Sequence, residues 1–142
     1  MTNINYTDLV NIKAISIKGT RLKEIFEYWD AVDRSYPSYI EFNKSIHKLE
    51  SLNAIKINKI GSNWQISNVL YKYMSFLERI QFILNPTDKF FLKIFSRLNV
   101  NCNEIGLKIT EEDYELAINK YIINKKPDFY WKSGFLFLYL FF

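Results

Sequence analysis

The stretch that most constrains this chain is residues 37 to 67, PSYIEFNKSIHKLESLNAIKINKIGSNWQIS, because its apolar periodicity changes partway from helical to alternating. Ser38 and Glu41 form S-x-x-E. In such a capping box the serine hydroxyl accepts from the N3 amide and the glutamate reaches back to the serine amide. Phe42, Ile46, Leu49 and Asn53 then fall on one side of a helix, flanked by Ser45 and Leu52, with Lys44, His47, Lys48 and Ser51 roughly opposite. The helix is expected to stop near Asn53, a residue that tolerates the left-handed conformation. Ile55 and Ile57 alternate with Lys56 and Asn58, Gly61-Ser62-Asn63 supplies turn chemistry, and Trp64 and Ile66 alternate with Gln65 and Ser67. The pattern predicts a capped helix followed by a two-stranded hairpin, with Trp64 anchoring the hairpin on the core.

Upstream, YTDLVNIKAISI predicts a short first helix capped by Thr7 or Asp8. TRLKEIFEYWDAVDR carries Leu22, Ile25, Phe26, Trp29 and Val32 as an apolar stripe, with Lys23, Glu24, Glu27, Asp30 and Asp33 on the outside. It ends at Ser35-Tyr36-Pro37, since a residue before proline avoids the helical region. Downstream, VLYKYMSFLERIQFIL is apolar nearly all round, which predicts one largely buried helix over 69–84, broken at Asn85-Pro86. KFFLKIFSRL follows from Thr87 or Asp88, with Phe91, Leu92, Phe95 and Leu98 as its apolar face. Residues 99–109 form a polar connector. Thr110 and Asp113 cap a last helix, whose apolar face is Tyr114, Ala117, Ile118, Tyr121 and Ile122 and whose end is expected at Lys125-Lys126-Pro127. The tail Phe135–Phe142 is uncharged and apolar. It is too short to span a membrane, which takes about 20 residues, and is read as a last strand or packed segment, a truncated reading frame or, third, a membrane or partner contact.

Of 142 residues, 49% are hydrophobic and 18% aromatic, enough to build a core without disulfides or metal. The 4 Gly and 3 Pro do not describe a low-complexity chain. One cysteine (Cys102) and one histidine (His47) cannot make a disulfide or a Cys/His zinc site, and no metal or other cofactor is expected. MTNINYTDLV lacks the basic and apolar regions of a signal peptide, so the expected location is cytoplasmic. The net charge of +4 divides evenly, +2 before residue 69 and +2 after it, which permits nucleic-acid binding without concentrating it. Catalytic arrangements are missing from the pattern. His47 and Glu50 have no nucleophile nearby in sequence. Cys102 has no basic neighbour to activate it. Glu111, Glu112, Asp113 and Glu115 occupy a first helical turn, where the macrodipole already favours acids. The reading is therefore non-enzymatic.

Helix, helix, helix, strand, turn, strand is the order from Leu9 to Ser67, and it resembles the winged helix-turn-helix family. Ser38, Glu41, Phe42, Ile46, Leu49, Ala54 and Ile55 occupy the places of that family's third helix and first wing strand. Asp30, Val32, Tyr36 and Pro37 match the ending of the second helix in small bacterial winged-helix proteins of unassigned function. The resemblance implies a mainly α protein with an N-terminal winged helix, residues 1–68, and a helical extension, residues 69–142. It also implies double-stranded DNA as partner, with the third helix in the major groove and the wing on the backbone. Carried over, Tyr39, Lys44, His47 and Lys48 face the groove, and Lys56, Lys59 and Asn63 sit near phosphates. The third helix has no arginine, the commonest reader of guanine, and Glu41 and Glu50 oppose the lysines. The alternative is a protein-interaction module on the same fold. A homodimer through residues 69–98 fits paired half-sites.

Overall fold

Local capping chemistry sets where most of the helices begin. The first helix, α1 (Tyr6–Ala14), starts from Asn5, whose side chain accepts from the Asp8 amide while the Asp8 carboxylate accepts from the Asn5 amide. Asp8 therefore closes the capping box from inside the helix, and neither it nor Thr7 is the cap. Gly19, at φ 112°, turns the chain into a two-residue strand, β1 (Thr20–Arg21), where a helix was expected to start. Helix α2 (Leu22–Asp33) buries Leu22, Ile25, Phe26 and Trp29 but leaves Val32 exposed. Helix α3 (Tyr39–Ser51) is capped by the Ser38–Glu41 box, and Asn53 takes the left-handed conformation after it, φ 60°.

Strands β2 (Ile55–Ile60) and β3 (Asn63–Asn68) form a hairpin across Gly61-Ser62, with Gly61 at φ 63° and Ile60 opposite Asn63. The expected two-stranded hairpin becomes a three-stranded antiparallel sheet in the order β1-β3-β2, because Thr20 pairs with Ile66 on the free edge of β3. Asn68 ties this sheet to α1: its side-chain amide donates to the Ile12 and Ile15 carbonyls, and its oxygen accepts from the Leu70 amide.

The computed structural model describes residues 3–99 and 108–134, and beyond residue 122 it describes the backbone only. Cys102 and the tail 135–142 lie outside the described residues. Residues 69–84 do not form one buried helix. A 3-10 turn, Leu70–Tyr73, stops at Met74, and Ser75 caps a separate helix α4 (Phe76–Leu84) through a second S-x-x-E box with Glu78. Much of the apolar surface of α4 faces solvent. Thr87 caps α5 (Asp88–Phe95), which buries Phe90, Phe91, Ile94 and Phe95 and exposes Leu92, so its apolar face is rotated from the expected one. The last helix, α6 (Glu111–Gly134), continues past its expected end and leaves Ile122, expected on its apolar face, exposed. The described protein is mainly helical with one small antiparallel sheet. Its core includes Phe26, Phe42, Leu49, Ile66, Phe91 and Ile94.

Candidate functional site

The outer face of α3 is set by what its inner face must bury. Phe42, Ser45, Ile46 and Leu49 point into the core, leaving Ile40, Lys44 and His47 exposed along one stripe. Lys48 does not join that stripe. Its ammonium reaches across to α1, donating to Asp8 Oδ2 at 2.7 Å and to the Asn3 carbonyl at 2.9 Å. Tyr39 is also committed elsewhere. Its hydroxyl donates to the Ile109 carbonyl at 2.8 Å and its ring meets Tyr114 at a centroid distance of 5.6 Å. Of the four α3 candidates, then, Lys44 and His47 are presented to solvent together, while Lys48 and Tyr39 fasten α3 to the rest of the protein.

The pleat separates the hairpin candidates in the same way. Side chains alternate between the two faces of a strand, so Lys56 and Lys59 lie on opposite faces. Lys59 is on the inner face opposite Trp64, its ammonium 4.9 Å from the ring centroid. Trp64 is buried and anchors the hairpin, and its indole N–H lies near Asp113 without closing a hydrogen bond. Burial pushes the Asp113 carboxyl up, but Trp64, Thr110 and Lys59 together outweigh it and hold the group below its usual range. Lys59 thus belongs to the junction between the hairpin tip and α6.

Lys56 and Asn63 are on the outer face with Asn58, Ile60, Gln65 and Ser67, and the strand register adds Arg21, which pairs with Gln65. None of these side chains is acidic. Arg21 was missed because Thr20-Arg21 read as the start of a helix. The signal that could have found it is a β-branched threonine directly after Gly19. Glu24 lies 3.7 Å from Arg21 Nε and already accepts a hydrogen bond from the Arg21 amide.

A cleft of about 270 Å³ between the hairpin tip and α6 is lined by Arg21, Lys23, Asn63, Trp64, Asp113 and Lys120. It is smaller than typical small-molecule sites, which run from about 300 Å³ upward. Among the described residues no group of three or more His, Cys, Asp or Glu side chains is placed to hold a metal ion. No described helix is long and apolar enough to cross a membrane. No family model, curated protein or solved structure matches this chain.

Proposed function

We propose that the first 68 residues are a winged helix that binds double-stranded DNA without sequence readout, as a non-enzymatic module braced by the helices from residue 69 onward. The observation that carries this reading is the acid-free outer face of the sheet, where Arg21 and Lys56 stand among four polar side chains and Ile60. The element order α1-β1-α2-α3-β2-β3 and the sheet order β1-β3-β2 support the fold assignment. Arg21 and Lys56 suit phosphates, and Lys44 on α3, beside the exposed His47, adds a third cationic contact. Base discrimination is not expected, since α3 offers no arginine to a base edge.

Three phosphate contacts predict that log K falls with log salt at a slope of roughly −3. Fluorescence anisotropy with a labelled duplex measures it. Lys44→Glu and Lys56→Glu should each weaken binding several-fold at low salt, whereas Lys59→Glu should act mainly on stability, because Lys59 covers Trp64. Undetectable binding at low salt would sink the reading. A second reading, a protein-contact module, is favoured by Ile40 and Ile60, which are 70% and 65% exposed on the same two surfaces. A protein partner lost on Ile40→Ser and Ile60→Ser, with no duplex binding at any salt, would favour it.

A further inference from the structure

We infer that α4 is the seam of a homodimer, in which a second copy of this chain docks through the same helix about a two-fold axis. Phe76, Leu77, Ile80, Ile83 and Leu84 recur at i, i+1, i+4, i+7 and i+8, so they form one stripe along the helix. They are 76%, 74%, 39%, 75% and 75% exposed. The opposite side of α4 is fastened. Glu78 receives both Arg97 guanidinium nitrogens at 2.6 Å and Lys93 at 3.0 Å, and Phe82 meets the Phe90 and Phe91 rings at 6.4 and 6.1 Å. The stripe cannot roll inward without breaking those contacts.

Area decides that such a contact can hold. Taking on the order of 200 Å² for a large apolar side chain, the exposed share of the five is about 700 Å² per copy. Two copies would bury at most about 1,400 Å² with the whole stripe covered, which reaches the roughly 1,200–2,000 Å² of stable interfaces, and the stripe itself is at or above the largest apolar patch of a typical monomer. Shape decides for a second copy over an unrelated partner. Ile83 and Phe82 also line a groove of about 560 Å³ whose other walls include Ile12, Ile15, Ile17 and Phe91. Ile83 belongs to both the ridge and the groove beside it, so a second copy related by a two-fold axis can set its ridge against that groove while offering its own in return. A bilayer surface fits less well, because interfacial helices flank their apolar face with several available Lys and Arg, whereas of the two lysines that line the groove Lys13 is paired with Asp88, leaving Lys18. Arg79, the one cation on α4, is turned onto Tyr71: its Nε donates to the Tyr71 carbonyl at 3.1 Å and its guanidinium lies 5.7 Å from the ring centroid.

Sedimentation equilibrium of the full chain without DNA tests this independently of any DNA reading. Protomer concentration must be varied from about 1 to 100 µM, because dimer population depends on it. The expected result is a mass approaching twice 17.0 kDa. The double variant Leu77→Glu/Ile83→Glu should stay monomeric with unchanged far-ultraviolet circular dichroism, its dimer weakened at least 100-fold. Leu116→Glu, an equally exposing change on α6, should leave the dimer intact. A wild type that remains at 17.0 kDa throughout, a double variant that still dimerises, or association that requires phosphatidylserine vesicles would each overturn the inference.

Discussion

The Asp8 carboxylate is fully buried, and a chain of polar groups is built around it. Lys48 and the Asn5 amide donate to one oxygen, and Ser45 Oγ donates to the other at 2.7 Å. Asn11 Nδ2 donates to that same serine at 2.9 Å, and Trp29 Nε1 donates to Asn11 Oδ1 at 2.8 Å. One network therefore joins α1, α2 and α3, and a buried network is stabilising only while every member is satisfied. Lys48→Ala leaves a buried carboxylate without its cation. It should cost roughly 2–4 kcal/mol, somewhat less than a fully buried pair because Lys48 is partly exposed. Denaturant unfolding of Lys48→Ala, Asp8→Ala and the double variant checks this. The expected coupling is 0.5 kcal/mol or more, and independent losses would refute it. The sequence read Lys48 as a groove-facing cation because helical angle gives only the direction of the Cβ. A lysine stem can cover apolar surface and deliver its charge well away from that direction, and nothing in α3 itself announces a buried acid on α1.

Among the elements, caps were the most legible feature and total apolarity the least. Ser38-x-x-Glu41 placed α3 correctly, Thr87 or Asp88 placed the start of α5, where Thr87 proves to be the cap, and Thr110-x-x-Asp113 placed the start of α6. Ser75-x-x-Glu78 carries the same signal, yet it was submerged in an apolar run that read as one helix. Apolar content does not say which residues meet a partner, so the exposed stripe of α4 was invisible in the sequence. Glu78 offers a pH test of how α4 is held. The Arg97 guanidinium, followed by the Ser75 amide, holds its carboxyl far below the usual carboxylate range. The folded state thus binds that proton more weakly than the unfolded chain does. The resulting stability is complete above the unfolded pKa, about 4.3, and declines as the pH falls toward the folded value. Glu78→Gln should be less stable than wild type at pH 7, and the gap should narrow below about pH 4. Urea midpoints across that interval measure it. A gap that widens on acidification would show that Glu78 is not held as an ion pair.

At the scale of the whole molecule, the periodicity of α6 was legible but its destination was not, since a stripe of tyrosines does not say which helices it will cover. Tyr114 makes the junction. Its ring packs on Phe26, Phe42 and Tyr39 at centroid distances of 5.2, 5.9 and 5.6 Å, and its hydroxyl donates to the Pro37 carbonyl at the entrance to α3. Burial accordingly pushes the Tyr114 phenol pKa up. One helical turn further along α6, and then the next, Ala117 and Tyr121 continue the contact, with the Tyr121 hydroxyl donating to Asp30 on α2 at 2.6 Å. If α6 only decorated the outside of an independent unit, loosening it would produce a separate early transition. If it completes the core under α2 and α3, the whole molecule should lose stability together. Tyr114→Phe removes one hydrogen bond and should cost about 1 kcal/mol. Tyr114→Ala opens a cavity between three rings and should cost about 3–5 kcal/mol, lowering the midpoint by roughly 10 °C for a chain of this size. Calorimetry should show one transition in both variants, shifted but undivided, with calorimetric and van't Hoff enthalpies equal. A split transition in Tyr114→Ala, with the larger component still melting at the wild-type temperature, would mean that α6 is dispensable to the fold around α3.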